Sequence, residues 1–379
     1  MFPAILTATN QGTADDKAIF IFNGTMLNEV VREGQAAPDG NGIFGDSTFG
    51  FFDPPFSPVV SLNNAGQVLV GASFTNTSSG LFESALVRFE EGAVTQLVRE
   101  GEPAPDGNGV FGFIPLGDFN EKGEVIFVNR LFGTTGGLGV DDLGLFRADG
   151  VTVTQVARTP QPAPDANGTM AAFSEYRVND ASQAAFLGFL RGTSGGEADN
   201  SGIFLTNGGS VSQSVREGQL IPGGDGTFSG VPLTESSFIR GLAMNDRGQL
   251  AFMGGISNTI GGEFGVSRID GITISQLVRQ GDPAPDGNGI FDEFVVNGGI
   301  YLNQNGQVVF VATLANTRDG MEDNIGIFLV EGSTVVQLVR EGQRAPRGGT
   351  FFGLNLNRLS ALPEDGQVRF SVGSETSTG

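Results

Sequence analysis

Residues 277–291, Leu277-Val278-Arg279-Gln280-Gly281-Asp282-Pro283-Ala284-Pro285-Asp286-Gly287-Asn288-Gly289-Ile290-Phe291, read as a strand end, a turn and the start of a second strand. Versions of the strand end recur about once every 60 residues. The other copies are Val31-Arg32-Glu33-Gly34, Val98-Arg99-Glu100-Gly101, Val156-Ala157-Arg158-Thr159, Val215-Arg216-Glu217-Gly218 and Val339-Arg340-Glu341-Gly342. Six copies at this spacing predict a repeated architecture.

A second marker, Asn-x-x-Gly followed by an apolar run, stands between the arginine copies. It is typical of a hairpin turn in which Asn caps the turn and Gly takes a positive φ. Its copies begin at Asn63, Asn120, Asn179, Asn245 and Asn303, and a sixth at Pro363 lacks the Asn. A third marker, Gly-[Ile/Leu]-Phe, begins at Gly144, Gly202 and Gly326.

Each repeat therefore contains four short runs of β-branched and aromatic residues. In the fifth repeat we predict strands A, B, C and D near residues 294–302, 307–314, 326–330 and 334–340. No stretch keeps the 3.6-residue period of a helix. The sequence predicts an all-β fold, a six-bladed β-propeller of four-stranded antiparallel blades, with a parallel β-solenoid as the alternative.

The chain is predicted to form a single domain across residues 1–379. The repeats are expected at about 1–38, 39–105, 106–164, 165–222, 223–285 and 286–346, and residues 347–379 complete the first blade. Residues 351–362 are predicted as a last strand A and residues 367–374 as a surplus strand B. Pairing of N- and C-terminal strands would close the ring, and the surplus strand is either an edge or joins a neighbouring molecule.

Composition excludes several classes of function. The net charge of −21 argues against binding nucleic acid or an anionic membrane. The chain has neither Cys nor His, which removes thiol catalysis, disulfides and the usual ligands of transition metals. No run of about 20 apolar residues predicts a membrane span. The first residues carry no signal peptide, so we expect a mature or trimmed form if the protein is exported.

The repeated Asn-x-x-Gly-x-x-[Ala/Val]-Phe pattern, with Gly-Ile-Phe and Val-Arg-x-Gly-x-x-Ala-Pro around it, resembles the bacterial NxxGxxAF tandem-repeat family. These are choice-of-anchor proteins, exported to the cell surface. The resemblance covers essentially the whole chain and implies an extracellular or cell-surface, propeller-like protein. It supplies no catalytic residues.

The Asp-Gly-Asn-Gly element offers two side-chain oxygens with glycines between and after them, a pattern that could contribute to a Ca²⁺ site. The alternative is a tight turn in which Asp bonds the backbone and Gly takes a positive φ. The candidate metal ligands are Asp39, Asn41, Asp106, Asn108, Asp286 and Asn288.

The loops between strands B and C differ from repeat to repeat and are acidic. They either bind a cation or a sugar, or they are solvated loops that keep an acidic protein soluble. The candidate ligand-binding residues are Asp141, Asp142, Glu197, Asp199, Asp319, Glu322 and Asp323. The repeated arginines are either an anion site or, as we favour, structural partners of loop carboxylates.

These features favour an extracellular, non-enzymatic structural or binding module of the surface, adhesion or matrix type. Two variants of this prediction are stiffening of the loops by Ca²⁺ and self-association through the surplus strand, and the expected partner is a surface glycan or protein. The alternative is a carbohydrate-active enzyme that uses two carboxylates on the loop face.

Overall fold

A computed structural model describes residues 2–7, 9–49, 60–207, 209–229, 241–294, 299–346, 348–354 and 373–375. Within these residues the regular structure is β-strand with a few short 3-10 turns. Neighbouring strands pair antiparallel in each sheet. The prediction of an all-β fold is confirmed. No helix in the described part is long and apolar enough to cross a membrane. The chain divides into two compact units, Met1–Pro162 with Thr169–Phe173, and Ala163–Gly168 with Ser174–Gly379.

The first unit contains three sheets, each formed by strands that follow one another along the chain. The first sheet is β1 (Phe2–Ile5), β2 (Lys17–Phe22) and β3 (Leu27–Arg32). The second is β4 (Ile43–Phe44), β5 (Val60–Leu62), β6 (Val68–Thr75), β7 (Glu83–Glu90) and β8 (Ala93–Arg99). The third is β9 (Val110–Phe111), β10 (Asp118–Phe119), β11 (Val125–Phe132), β12 (Leu143–Ala148) and β13 (Val153–Arg158).

The second unit contains three further sheets and a two-stranded ribbon. The fourth sheet is β14 (Thr169–Val178, of which Ser174 onward belongs to this unit), β15 (Ala184–Arg191), β16 (Ser201–Asn207) and β17 (Ser210–Arg216). The fifth is β18 (Thr227–Phe228), β19 (Leu242–Met244), β20 (Leu250–Ser257), β21 (Phe264–Asp270) and β22 (Thr273–Arg279). The sixth is β23 (Ile290–Phe294), β24 (Ile300–Leu302), β25 (Val308–Ala315), β26 (Ile325–Glu331) and β27 (Thr334–Arg340), and the ribbon is β28 (Thr350–Phe352) and β29 (Gly373–Glu375).

In the part of the chain that the structure describes, the short helical segments are 3-10 turns in connections. They span Gly12–Ala14, Asp46–Phe49, Gly196–Ala198 and Gly320–Glu322.

The sheets have the predicted A-B-C-D order. In every five-stranded sheet the two short leading strands pair with the same partner, so strand A is one strand interrupted in the middle. In the sixth sheet β23 and β24 both pair with β25, and residues 295–298 between them lie outside the described residues. β1 pairs with β2, and β28 pairs with β29. Most of the predicted terminal strands at 351–362 and 367–374 lies outside the described residues.

Adjacent sheets within a unit are held together by phenylalanine-rich cores. One cluster joins β2 and β3 to β6 and β7, and a second joins the second sheet to the third. The Gly-[Ile/Leu]-Phe marker has a steric reason. A Cβ on Gly144 would lie 2.5 Å from Phe146 Cζ, so only glycine leaves room for the buried ring two residues later.

The Asn-x-x-Gly turns lie at the opposite end of each sheet from the Pro-Asp-Gly-Asn-Gly turns, and they do more than predicted. Asn63 accepts a hydrogen bond from the Gln67 amide at 2.9 Å, and Gly66 takes a φ of 83°, as expected of a capped turn. The Asn63 side-chain amide also donates to the Asn120 carbonyl of the next sheet at 2.9 Å. Asn245 makes the same bond to the Asn303 carbonyl in the second unit.

Candidate functional site

An arginine clasp closes one end of each sheet from the second to the sixth. The last strand of four antiparallel strands ends where the first begins, so the arginine that ends strand D can reach the aspartate before strand A. The N–O distances are 2.8 Å for Arg99–Asp39, 2.6 Å for Arg158–Asp106 and 3.0 Å for Arg216–Asp165, Arg279–Asp225 and Arg340–Asp286. The structural interpretation of the arginines is confirmed. Arg32, in the first sheet, pairs instead with Glu29.

A second repeated contact fixes the loop between strands B and C. The side-chain amides of Asn108, Asn167 and Asn288 each donate to an aspartate of that loop at 2.8 Å, respectively Asp141, Asp199 and Asp323. Hydrogen bonds from Thr134, Asn108 and the Gly136 amide lower the pKa of Asp141 to about 2. Candidate metal ligands and candidate ligand-binding residues are thus bonded to each other.

The other predicted site residues also lie in this loop network or in solvent. Asn41 accepts a hydrogen bond from the Ser78 amide at 2.7 Å, and buried Asp142 pairs with Arg130. Glu197, Asp319 and Glu322 are exposed. Among the described residues, no group of three or more acidic side chains is placed to hold a metal ion. The Ca²⁺ site remains a prediction, with its six candidate ligands engaged in turns and clasps.

One position of the repeat differs chemically in the first sheet. The residue that follows the repeated arginine donates its backbone N–H to the carbonyl of residue 17, 84, 143, 201, 264 or 325 in the six copies, which makes these positions equivalent. That residue is a glutamate in four of the copies. Ser84 and Ser201 each donate a hydroxyl hydrogen bond to their glutamates, Glu100 at 2.8 Å and Glu217 at 2.9 Å. The equivalent residue beside the other two glutamates is Lys17 in the first sheet, one of only two lysines in the chain, and Ile325 in the sixth.

Lys17 draws together three carboxyl groups. Its ammonium pairs with Asp46 and lies 4.0 Å from Glu33 Oε2. The Glu33 side chain is only 11% exposed, whereas that of Asp46 is 70% exposed. Asp16 Oδ1 and Glu33 Oε2 are buried atoms to which no N–H or O–H of the described residues donates. We call Asp16, Lys17, Glu33 and Asp46 the carboxyl cluster.

The pKa of Glu33 is raised. Burial is the largest cause, the Lys17 ammonium acts against it, and the nearby Asp46 and Asp16 carboxyls raise the pKa further. The pKa of Lys17 is raised as well, since its contact with Asp46 outweighs the effect of burial. The cluster therefore pairs a largely buried carboxyl whose pKa is raised with an exposed carboxyl that contacts an ammonium, an arrangement suited to acid–base chemistry.

The sequence prediction missed this cluster. Its signal was a residue exchange at one repeat position, serine to lysine, rather than a motif. Asp46 could not be predicted by comparing these repeats, because the third repeat has Phe113 at the equivalent position. The equivalence follows from matching backbone bonds, Gly45 N–H to the Ser73 carbonyl and Gly112 N–H to the Arg130 carbonyl.

The chain belongs to the family of unknown function DUF7453, whose model matches residues 1–269 and 261–379. No curated protein matches the sequence.

The chain is also similar to solved structures. An alpha-L-arabinofuranosidase of Fusarium graminearum shares 11% identity at a TM-score of 0.32, covering 73% of this chain and 79% of that chain. A polysaccharide lyase described as an ulvan lyase shares 9% at 0.35, with 74% and 68% covered. The β-propeller domain of the Trilobed protease from Pyrococcus furiosus shares 9% at 0.31, with 86% and 94% covered.

These similarities correct the main functional prediction. A non-enzymatic surface, adhesion or matrix module was expected, whereas the similar solved structures are mainly enzymes that act on carbohydrates. At these identities they supply no catalytic residue for this chain, so its function has to be argued from its own side chains.

Proposed function

We propose that this chain is a carbohydrate-active enzyme that cleaves glycosidic bonds with the carboxyl cluster. The observation that carries the proposal is Glu33, a largely buried carboxyl whose pKa is raised and whose buried Oε2 accepts no hydrogen bond from the described residues, whereas Glu100 and Glu217 each receive a serine hydroxyl. Glycosidases commonly pair a proton-holding acid with a second, ionised carboxyl group.

Each residue of the cluster has a role in this proposal. Glu33 protonates the leaving oxygen, and Asp46 acts on the sugar or on water as the second carboxylate. Asp16 helps to keep the proton on Glu33, and Lys17 orients Asp46. Because one ammonium contacts both Glu33 and Asp46, their carboxyls are no more than two ion-pair distances apart, of the order of the roughly 5–9.5 Å found in glycosidases.

We further propose that the sheets form a six-bladed propeller. The first sheet supplies strands B, C and D of its blade, and β28 at the other end of the chain supplies a strand of type A. Pairing of β1 with β28 would complete the blade of the first sheet and leave β29 as the surplus strand. The resemblance described above supports a location outside the cell, where polymeric glycans are available.

The test is release of reducing ends from neutral polysaccharides by the purified chain. We expect Glu33→Gln and Asp46→Asn each to lower kcat/KM by at least about 100-fold, the usual contribution of acid–base catalysis. Glu100→Gln and Glu217→Gln, at the same repeat position, should keep full activity. Asp16→Asn should move the alkaline limb of the pH profile to lower pH, since it removes a carboxylate that raises the pKa of Glu33. Full activity of Glu33→Gln would refute the proposal, as would a wild-type chain inert on every polysaccharide tested.

A further inference from the structure

Three phenylalanine side chains are exposed at the loop end of the first unit, where a soluble protein would normally bury them. Phe82 and Phe113 are each 72% exposed, and Phe132 is about half exposed. Phe82 precedes strand C of the second sheet, Phe113 follows β9 and Phe132 ends β11, so all three belong to the same end of their sheets. We call them the aromatic patch.

The backbone that carries the patch is fixed. Asn129, a buried side chain on β11, accepts the Gly112 N–H at 3.0 Å and donates to the Phe113 carbonyl at 2.8 Å. The Ile114 N–H donates to Ser84 Oγ at 2.8 Å, which ties the third sheet to the second between Phe113 and Phe82.

The Phe132 ring packs against the backbone of Gly112. A Cβ on Gly112 would come within 2.6 Å of the Phe132 ring, so glycine lets this ring lie against the residue before Phe113. The loop before Phe82 is equally constrained, since Thr77 donates to the Leu81 carbonyl at 2.7 Å and Glu83 pairs with Arg99. The backbone that carries the exposed rings is therefore fixed before any ligand arrives, which lowers the entropic cost of binding.

The patch lies one repeat along from the carboxyl cluster. Phe113 occupies in the third sheet the position that Asp46 occupies in the second, and Ser84 occupies that of Lys17. In the second sheet, Asp46 lies between β4 and β5, the two parts of the interrupted first strand. Phe82 directly precedes β7, the third strand. These positions are two strand spacings apart across the sheet and about three residues apart along it, roughly 14 Å in all. A short oligosaccharide spans that distance.

We propose that the aromatic patch is a subsite that holds a neutral polysaccharide chain by stacking on its sugar rings, which rests on the glycan substrate of the proposed function. The faces of aromatic rings carry partial negative charge and attract the weakly positive C–H groups of a sugar face. The net charge of −21 repels a polyanionic glycan, so an uncharged chain is the occupant that fits. Exposed apolar patches of this kind mark binding sites.

The experiment is affinity gel electrophoresis of the full chain in gels that contain mixed-linkage β-glucan, xylan, arabinan or polygalacturonate. Glu33→Gln serves as the background, so that binding is measured without cleavage. We expect retardation by at least one neutral polysaccharide, and Phe113→Ala or Phe82→Ala should weaken the apparent affinity about tenfold. Val151→Ala, an exposed apolar residue in the turn between β12 and β13 at the other end of the sheet, is the matched control and should bind normally.

The outcomes separate the two proposals. Retardation that Phe113→Ala abolishes supports the subsite even if the wild-type chain cleaves nothing. Cleavage with kcat/KM unchanged in both phenylalanine variants overturns the subsite and leaves the carboxyl cluster standing. Retardation by polygalacturonate alone, no retardation by any neutral polysaccharide, or mobility that depends on protein concentration and on Phe113 would also overturn it, the last by assigning the patch to self-association.

Discussion

A serine hydroxyl satisfies the glutamate after the clasp arginine in two of the repeats, and a lysine stands in its place in the first. Glu100 receives both the Ser84 N–H and its hydroxyl, which is the ordinary way to bury a carboxylate. Glu33 receives neither from Lys17, whose ammonium is engaged by Asp46. Glu33 therefore lacks the hydrogen bonds that Glu100 receives, and the pKa of Glu33 is raised, so the two repeats serve as internal controls for each other.

The pH dependence of stability should report this exchange. Because the pKa of Glu33 is raised in the folded chain, its stabilising contribution is fully present below the unfolded value of about 4.3 and is lost as the pH rises through the folded value. Glu33→Gln should therefore match the wild type near pH 4 and have a higher free energy of unfolding at pH 7 to 8. Urea unfolding across this range measures the difference, and Glu100→Gln should show no such gain. A difference that stays constant with pH would contradict the assignment.

Within one sheet, the clasp and the loop contacts form a single network at the loop end. Arg340 pairs with Asp286 and with buried Asp323, and Asn288 bonds the same Asp323. The Pro-Asp-Gly-Asn-Gly turn is therefore repeated because its Asp anchors strand D and its Asn anchors the loop between B and C. Neither role requires a ligand.

Breaking the clasp should cost far more in a complete sheet than in the first one. The Arg340 side chain is 4% exposed and that of Arg32 is 31% exposed. Arg340→Met leaves two carboxylates uncompensated and should lower the free energy of unfolding by about 3–5 kcal/mol. Arg32→Met, at the same repeat position, removes an exposed pair and should cost less than about 1 kcal/mol. Denaturant unfolding compares the two variants, and equal losses would show that the clasp is not what holds the loop end.

Sequence reasoning reached the strands and turns because their signals are local. The β-branched runs, the Asn-x-x-Gly turns and the D-strand arginines can each be read within ten residues. Which carboxylate each arginine pairs with could not be read in this way. Arg99 and Asp39 are 60 residues apart and meet only because of the order of four strands. The carboxyl cluster was harder still, because the residue at the position of Asp46 varies between repeats and the burial of Glu33 follows from packing.

On the scale of the whole molecule, the proposed six-bladed ring requires the first sheet and the C-terminal ribbon to complete one blade together. The first sheet has strands of type B, C and D, and its β1 edge pairs with β2 on one side. The C-terminal ribbon offers β28, a strand of type A. Exposed strand edges invite pairing, either within one chain or between copies. Within one chain the two ends have a high effective concentration, which favours closure of a ring over assembly at ordinary protein concentrations.

The absence of cysteine from the chain allows closure to be tested cleanly. Ile5→Cys on exposed β1 and Thr350→Cys on β28 place two thiols on the strands proposed to meet, and a short bismaleimide joins them whatever their register. We expect a cross-linked species of monomer mass at micromolar concentration, and none from either single-cysteine variant or from the unfolded chain. A ladder of dimers and larger species that grows with concentration would show that β28 pairs with a neighbouring copy. The blade of the first sheet would then be completed between two molecules, and the proposal of a ring closed within one chain would be wrong.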